Sequence, residues 1–516
     1  MAYREHWLIP EQDYPSYAAY LEAAGGNAVE RARRMDPTLV LEQVHRSGLR
    51  GRGGAGFPTG VKWSAVRANP CPTRFVVCNA AEGEPGTFKD RFLLGRNPYS
   101  TLEGMLICAH AIGAKAGFIA IKASFARPLA RLRAALAEMA GTMGGVSITI
   151  VEGPDEYLFG EETAMLSVID GEGPLPRPPE SPAYEVGLRA TAGSPNPAVC
   201  NNAETFAHVP SVIRAGAASF RNVGTSDTSG TILFTLSGDL QRPGVYELPA
   251  GTSLRHLFYE VGGGPPPGRT FKAALPGVSA APILPERFDI PADFGSLRLV
   301  GSGLGSAGFI LFDDQTSMPR VAQAVARFLY VESCNQCSAC KEGLRTASRA
   351  LDEIFDPAKA TPDDPERALF GAWRAPQGNR CYLPVQGATV IPSLMQRFRA
   401  EIDAQVSHPT GAPPAYVLPK LADFDEASRT FTVDSMQRLK LPNWTYAEPP
   451  QPPRPPSAPS SAPRGHTAVR LHPDLRAALA DLGGGGDGDL DLDRQVNEAL
   501  HDWLKSQKRK KKRSKK

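Results

Sequence analysis

Hydrophobic residues recur with two different periods along the first half of the chain. Between residues 15 and 47 they fall at helical spacing. Asp36 suits the cap position of a helix, and Pro37 suits its first position. Further on, short apolar runs predict strands, and amphipathic segments between them predict helices. The predicted strands are 74–79, 116–122 and 146–152, and the predicted helices are 102–112, 129–139 and 164–169. This alternation favours a largely parallel sheet covered by helices.

From Gly230 onward the pattern changes to the alternation that is typical of hairpins. Strands are predicted at 231–238, 244–248, 297–300 and 308–312, with a helix at 254–260. We expect a β-grasp-like (ubiquitin-like) domain from this arrangement. The segments that follow have helical spacing and predict an all-α helical bundle, with helices at 318–330, 343–354 and 391–402.

The C-terminal region differs from the rest in composition. Residues 448–463 are rich in Pro and Ser and predict a semi-rigid linker. Beyond it, the pattern indicates strand, helix, turn and helix, a small C-terminal α module similar to a ribbon-helix-helix unit; a docking module fits the pattern equally well. The last dozen residues contain nine Lys or Arg, which leaves a partner contact and a solvated basic tail as alternatives.

That basic tail produces the positive net charge of the 516-residue chain, which is +3. Without the tail the remainder is mildly acidic, so composition gives no support for a nucleic-acid-binding body. No apolar window reaches the roughly 18 residues of a membrane span, and the N-terminus lacks the apolar core of a signal peptide. We therefore expect a cytoplasmic protein with no direct membrane insertion.

Three of the eight cysteines, Cys334, Cys337 and Cys340, form a C-x2-C-x2-C run. Thiolates this close repel one another unless a metal neutralises them, and the spacing suits three corners of a cubic iron–sulfur cluster. Cys381 is the only later cysteine, which makes it the candidate for a fourth ligand. Scattered core cysteines and a structural zinc site are the alternatives, although the paired C-x2-C pattern of zinc sites is incomplete here.

A glycine-rich segment, Gly48 to Trp63, follows the N-terminal helices. It contains the dinucleotide pattern G-x-G-x-x-G from Gly51 to Gly56, but a helix rather than a strand precedes it, so the pattern alone is weak. Glycines persist where the backbone needs positive φ or where a ligand approaches the main chain. With Arg52 and Lys62 beside it, the segment favours a phosphate-bearing cofactor; a mobile glycine linker is the alternative.

Polar residues gather at the ends of predicted elements, where α/β sheets bind ligands. Asn79 ends a predicted strand and the acids Glu82 and Glu84 follow it, while Glu161-Glu162 and Asn201-Asn202 open two helices. Each pair has a plain alternative, because asparagines cap helices and acids complement helix dipoles. Their recurrence at the ends of one α/β unit favours a ligand site.

Taken in order, these features resemble those of the NADH-binding flavoprotein subunit of respiratory complex I and the related diaphorase subunits of NAD-dependent formate dehydrogenases and hydrogenases. The resemblance covers residues 15 to 402. It implies FMN in the α/β domain, NAD(H) as the substrate that stacks over it, and one [4Fe–4S] cluster in the helical bundle.

The resemblance also implies which residues contact each group. For FMN these are Gly51, Arg52, Gly53, Gly54, Gly56, Gly60, Asn79, Glu82, Tyr157, Gly160, Glu161, Glu162, Asn201, Asn202 and Thr205. For the dinucleotide they are Phe57, Lys62, Glu84 and Glu162, and for the cluster Cys334, Cys337, Cys340 and Cys381. No residue is assigned as a general acid or base, because hydride transfer to a flavin requires none.

These features and the resemblance divide the chain into eight expected segments. They are an N-terminal helical segment (1–47), an FMN/NADH-binding α/β domain (48–225), a β-grasp-like domain (229–315), a helical 4Fe-4S domain (316–410), an extension (411–446), a Pro-rich linker (447–464), the ribbon-helix-helix-like module (465–505) and the basic tail (506–516).

The implied function is that of an NADH dehydrogenase subunit, an oxidoreductase for electron input. A hydride passes from NADH to FMN, and single electrons pass through the cluster to partner iron–sulfur subunits, or the flow runs in reverse. Such a subunit is expected in the cytoplasm, at the inner face of the membrane only through its partners. Nucleic acid is a partner only through the C-terminal module.

Four positions depart from the pattern of the family. Ala81 stands where Asp is common and Asn335 where Gly is common, while Ala65 and Glu180 stand where aromatic residues flank the adenine. Loss of aromatic stacking lowers dinucleotide affinity. The alternative function is therefore a flavin and iron–sulfur electron relay, or a redox-responsive regulator, that has lost NADH binding.

Overall fold

The computed structural model describes residues 8–448, except 180–182, 184, 191–193 and 410–414. The predictions for Glu180, the Pro-rich linker, the C-terminal module and the basic tail lie outside these residues. Within them, no helix is both long and apolar enough to cross a membrane.

The N-terminal segment forms three short helices, as its period predicts. They are α1 (Tyr17–Ala24), α2 (Ala28–Arg33) and α3 (Pro37–Arg46). Each begins at a side chain that accepts a backbone N–H of the first turn, from Ser16, Asn27 and Asp36 respectively. Their buried residues join the core that lies under the first sheet.

The first sheet has four parallel strands, so the predicted parallel sheet is confirmed. The strands are β1 (Phe75–Ala80), β2 (Ala116–Lys122), β3 (Ser147–Gly153) and β4 (Ala198–Asn202), in the order β3-β2-β1-β4. Its helices are α4 (Thr59–Ala68), α5 (Lys89–Arg96), α6 (Pro98–Ile112), α7 (Ala126–Glu138), α8 (Glu162–Ile169), α9 (Ala203–Ala215) and α10 (Ala217–Arg221). Because the strands are parallel, their carboxyl ends share one edge.

The second sheet is mixed, with the order β6-β5-β8-β7. Its strands are β5 (Thr231–Gly238), β6 (Gly244–Pro249), β7 (Phe271–Pro276) and β8 (Gly308–Asp313). The two central strands, β5 and β8, run parallel, and each edge strand is antiparallel to its neighbour. The helix predicted at 254–260 is present as a π-helix at His256–Val261.

The prediction of a strand at 297–300 is wrong. Residues Phe294–Leu299 form helix α11, because the Asp293 side chain accepts the N–H of Ser296 at 2.6 Å and caps the turn. Leu297 is buried and Leu299 is 89% exposed, so the apolar run does not line one face of a sheet. The fourth strand of this sheet is β7, which the pattern did not reveal.

The helical bundle contains five helices in the described part of the chain. They are α12 (Met318–Glu332), α13 (Ser338–Glu353), α14 (Asp364–Arg374), α15 (Leu383–Arg397) and α16 (Arg399–Ser407). The prediction of one helix at 391–402 is wrong, because the chain breaks at Phe398 between α15 and α16. Gly343 and Gly371 let α13 and α14 meet backbone to backbone: a Cβ on Gly343 would lie 2.5 Å from the Gly371 carbonyl oxygen.

The C-terminal extension folds back over both the first sheet and the bundle. It contains an antiparallel hairpin of β9 (Leu421–Asp425) and β10 (Thr430–Val433). The Arg91 guanidinium donates to the Leu421 carbonyl at 2.6 Å, and the Trp444 indole N–H donates to the Val331 carbonyl at 3.0 Å. The extension is therefore attached to the bundle by specific hydrogen bonds.

Candidate functional site

Two adjoining cavities lie at the carboxyl edge of the first sheet. The inner cavity, about 240 Å³, is lined by Gly53, Asn79, Ala81, Glu82, Gly83, Glu84, Tyr157, Gly160, Glu161, Asn202, Leu383 and Gln386, among others. The outer cavity, also about 240 Å³, is lined by Gly51, Gly53, Ala55, Gly56, Phe57, Lys62, Asn79, Gly160, Glu162, Cys200, Asn201 and Asn202. Most of the residues predicted to form the site thus line one space or the other.

Four of the predicted residues do not line these two cavities. Gly54 lines a third cavity, about 530 Å³, that shares Gly53 and Glu84 with the inner one. Gly60 lies on α4, where an added Cβ would come 2.4 Å from the His45 Cα, so its small size permits helix packing. Arg52 and Thr205 are buried together behind the glycine loop.

Arg52 and Thr205 fix the shape of that loop. The Thr205 hydroxyl accepts the backbone N–H of Arg52 at 2.8 Å. The Arg52 guanidinium donates to the carbonyl of Ser229 at 2.6 Å and to that of Thr231 at 3.1 Å. A buried arginine bonded to carbonyls holds backbone in place rather than presenting its charge to a ligand.

The acids of the inner cavity are occupied by internal partners. Glu82 accepts the Arg91 Nε–H at 2.8 Å, and Glu161 accepts the Ala164 N–H at 2.8 Å as the cap of α8. Asn79 donates to the Gly160 carbonyl at 2.8 Å. These bonds hold the wall of the cavity in one arrangement before any ligand arrives.

Glu84 joins three parts of the fold at the inner cavity. Its carboxylate accepts the Tyr157 hydroxyl and, at 2.7 Å, the N–H of Val278 after β7. The Gln386 side chain of α15 donates to the same Tyr157 oxygen at 2.8 Å. Burial raises the pKa of Glu84 more than these hydrogen bonds lower it.

A lysine and a glutamate face each other in the outer cavity. The Lys62 Nζ lies 3.1 Å from the Glu162 carboxylate and 3.0 Å from the Cys200 carbonyl oxygen. Burial lowers the pKa of Lys62, but Glu162 and Cys200 together outweigh that effect and the net shift is upward. Lys62 is therefore a cation at neutral pH. It lies 6.0 Å from the ring centre of Phe57, whose side chain is half exposed at the mouth of the cavity.

The four cysteines of the predicted cluster pack against one hydrophobic core in the helical bundle. Cys340 is buried, and Cys334, Cys337 and Cys381 pack partly buried against the same hydrophobic core. None forms a disulfide, and burial raises the pKa of Cys340 to about 12, with Cys334 and Cys337 adding to the effect. Among the described residues, no group of three or more His, Cys, Asp or Glu is close enough to hold a single metal ion.

Comparison with known proteins identifies the cavity-bearing α/β region, the cysteine-containing bundle and part of the second sheet. The family model "Nuo51 FMN-binding domain" matches residues 44–211, the "NADH-ubiquinone oxidoreductase-F iron-sulfur binding region" matches 320–405, and the "SLBB domain" matches 233–275. An F subunit of the NADH-quinone oxidoreductase of Rhizobium meliloti is 39% identical over 75% of this chain and 93% of its own length. This chain belongs to the F-subunit family of NADH-quinone oxidoreductases.

Other similar proteins include a hydrogenase subunit and a hydrogenase of known structure. The NADP-reducing hydrogenase subunit HndC of Solidesulfovibrio fructosivorans is 34% identical over 76% of this chain and 81% of its own length. A chain of the NAD⁺-reducing [NiFe]-hydrogenase in the H2-reduced state aligns with a TM-score of 0.68 and 31% identity, over 78% of this chain and 69% of that one.

The residues present fit the two cofactors of this family. The FMN-binding model spans the glycine loop and the strand ends beside both cavities, and Gly53 and Gly160 present main chain without a side chain to both cavities. The iron–sulfur model spans all four cysteines, whose soft sulfur atoms are the ligands of [4Fe–4S] clusters. FMN and one [4Fe–4S] cluster are accordingly the cofactors of this chain.

The sequence pattern missed a group of buried charges under the site. The Lys89 Nζ lies 2.7 Å from Asp90, 2.8 Å from Glu204 and 3.1 Å from the Asn202 side-chain oxygen. Burial alone would raise the pKa of Glu204, but Lys89, His208 and Arg52 outweigh it and lower the pKa to about 2. The adjacent Lys89-Asp90 pair is the one available signal in the sequence, but none of the predicted helices begins there, whereas α5 starts at Lys89.

Three of the four departures from the family pattern lie among the described residues. Ala81 is buried in the wall of the inner cavity. Asn335 has φ 71°, in the left-handed region that glycine adopts freely and asparagine tolerates better than most residues. Ala65 is exposed on α4. The substitution at Asn335 therefore preserves the turn between Cys334 and Cys337.

Proposed function

We propose that this chain is the electron-input subunit of an NADH dehydrogenase-type complex. It passes a hydride from NADH to FMN and single electrons through the [4Fe–4S] cluster to partner iron–sulfur subunits, or runs the same path in reverse. The main support for this proposal is that the two cavities are continuous with each other and with the cysteine-containing bundle. The inner and outer cavities share Gly53, Asn79, Gly160 and Asn202, and Tyr157 joins the inner cavity to α15, which begins two residues after Cys381.

The outer cavity has the chemistry that a nicotinamide dinucleotide requires. Lys62 is fixed by Glu162 and by the Cys200 carbonyl, so its cation has one position. Phe57 presents a flat apolar surface beside it. An aromatic face with a neighbouring cation matches a ligand that combines flat rings with a pyrophosphate. We assign NAD(H) to Phe57, Lys62, Glu162 and, at the boundary of the inner cavity, Glu84.

The inner cavity is assigned to FMN. Bound FMN supplies the conversion between a two-electron hydride and one-electron transfers. The residues that line the cavity orient the ring, and Leu158 and Leu383 contribute apolar wall that excludes water. Arg52, Gly60 and Thr205 are assigned a supporting role, because their contacts shape the loop and α4. No residue is assigned as a general acid or base.

The remaining parts of the assignment follow from this arrangement. Cys334, Cys337, Cys340 and Cys381 are the proposed ligands of the cluster. The second sheet contains the hairpin of β5 and β6 and two parallel central strands, which supports a β-grasp-like domain within 229–315. The five helices support a cluster domain within 316–410. We place the protein in the cytoplasm. Its partner subunits attach it to the inner face of the membrane.

Kinetics with ferricyanide as a small acceptor test the assignment of the outer cavity. The full chain, reconstituted with FMN and iron, is expected to oxidise NADH, and Lys62→Met is expected to raise KM for NADH about tenfold or more, because a charge-assisted hydrogen bond is lost. Lys115→Met, an exposed lysine at the opposite edge of the sheet, is the control. No turnover of NADH or NADPH by the wild-type protein would favour the relay that has lost dinucleotide binding.

A further inference from the structure

Lys341 lies directly after Cys340 and is buried in the bundle. Its Nζ donates to three backbone carbonyls: Ser333 at 2.8 Å, Tyr330 at 3.1 Å and Pro442 at 2.7 Å. Two of these acceptors come from the end of α12 and its cap, and the third comes from the C-terminal extension. The lysine head is thereby fixed from two sides.

These three bonds define the charge of the side chain. A neutral amine has two N–H donors, whereas an ammonium has three, so three carbonyl acceptors require the ammonium form. In the described part of the chain no carboxylate forms an ion pair with Lys341. The nearby Glu332 carboxylate is engaged instead by Lys440 at 2.8 Å and by Gln437 at 2.9 Å. A positive charge without an adjacent counter-ion is thus buried in the bundle.

The proposed cluster ligands are the negative groups that this charge faces. Lys341 follows Cys340 directly, its Nζ bonds the carbonyl of Ser333 next to Cys334, and both cysteines pack against the same core. A cubic cluster with four thiolate ligands carries a net negative charge, which increases by one unit on reduction. In a site of low dielectric constant, a neighbouring cation stabilises the more negative state more strongly.

We propose that Lys341 sets the reduction potential of the [4Fe–4S] cluster, raising it by means of a fixed ammonium that the C-terminal extension helps to hold. This inference rests on the proposed function only through the assignment of the cluster ligands. Lys341 is a positioning and tuning residue and ligates nothing. Because Pro442 supplies one of its three acceptors, the extension has a direct structural role at the cluster.

A potentiometric titration followed by electron paramagnetic resonance tests the proposal on the full, reconstituted chain. Reduction is driven by dithionite and mediators without NADH, so failure of dinucleotide binding leaves the result unaffected. Lys341→Met is expected to move the cluster midpoint to a more negative potential, while Lys341→Arg, which keeps the charge, stays near the wild-type value. Arg349→Met is the control, an exposed cation eight residues, about 12 Å, further along the same helix.

Three outcomes would overturn the proposal. The first is a Lys341→Met variant that keeps four irons per chain and the wild-type midpoint. The second is a shift of equal size in Lys341→Arg, which would trace the effect to packing rather than charge. The third is loss of iron from Lys341→Met, which would make the lysine a requirement for building the site and not a determinant of its potential.

Discussion

The Glu332 carboxylate accepts the backbone N–H of Tyr157 at 3.1 Å. Glu332 is the last residue of α12, two positions before the first cluster cysteine, and Tyr157 lines the inner cavity. The same carboxylate receives Lys440 from the C-terminal extension at 2.8 Å. One buried acid therefore fixes the flavin wall, the start of the cluster segment and the extension relative to one another.

Replacement of this acid is expected to be strongly destabilising. Glu332→Ala leaves the fully buried Lys440 with only the more distant Glu156 carboxylate, at 4.0 Å, and loss of a close buried pair costs about 3–5 kcal/mol. Urea unfolding followed by circular dichroism measures the loss as a lower midpoint of the first transition. Glu342→Ala, which removes an exposed acid paired with Arg345, is the control and is expected to change the midpoint little. Equal midpoints for the two variants would contradict the role of Glu332.

Cys381→Ser tests the fourth cluster ligand. We expect the variant to retain FMN and to lose or convert the four-iron centre, because a serine oxygen is a poor substitute for a thiolate. Iron analysis and the spin signal of the reduced protein are the measurements. Cys71→Ser, at a partly exposed cysteine after α4, serves as the matched control. Four irons per chain with an unchanged spin signal in Cys381→Ser would refute the ligand assignment.

Gly54→Val tests the glycine loop. Gly54 has φ 127°, a conformation that L side chains rarely adopt, and it lines the third cavity beside the inner one. Strain of about 1–3 kcal/mol in the loop is expected to reduce FMN retention at least about fivefold. The ratio of flavin to protein after purification measures this. Gly141→Val, at an open position with ordinary φ, is expected to keep its flavin. Stoichiometric FMN in a folded Gly54→Val protein would show that the loop lies elsewhere.

The raised pKa of Glu247 predicts that the free energy of unfolding depends on pH. Burial raises its pKa from 4.5 to about 7, although Thr231, Ile9 and Leu8 donate hydrogen bonds to it. Between these two values the folded state keeps a proton that the unfolded state has lost. The stabilising contribution is therefore present at low pH and is lost as pH rises towards 7.

The size of this effect is about 3 kcal/mol, at 1.36 kcal/mol for each unit of pKa difference. Chemical denaturation of wild type and Glu247→Gln at several pH values from 4.5 to 7.5 isolates it. We expect the stability of the wild type relative to the variant to fall over this range. A difference that stays constant with pH would mean that the buried carboxyl titrates normally.

The sequence predicted those features whose signal is local. The strands β1, β2 and β3 have short apolar runs between helical segments, and the cysteine run has a spacing that one segment carries by itself. Asn79 lies near the carboxyl end of β1 and Glu82 and Glu84 follow that strand, so their meeting at the sheet edge follows from parallel topology. These inferences needed no knowledge of distant contacts.

Features that depend on distant segments were not predictable in this way. Lys440 and Glu332 lie 108 positions apart, and nothing in either neighbourhood indicates the other. The run Leu297 to Val300 has the apolar character of a strand, but the Asp293 cap and the exposure of Leu299 place it at the end of a helix. Arg52 and Thr205 have polar side chains of the kind that bind phosphate, yet their hydrogen bonds hold the glycine loop instead.

In the proposed path, NADH delivers electrons to the flavin, and these electrons reach the cluster of the same chain. An anaerobic titration of the reconstituted protein with NADH, with flavin absorbance and the cluster spin signal followed together, tests it most directly. We expect the flavin to bleach and the cluster signal to appear. Reduction should be complete at about 1.5 equivalents of NADH, because two electrons reduce the flavin and one reduces the cluster. A flavin that stays oxidised with NADH while dithionite reduces both centres would contradict the account.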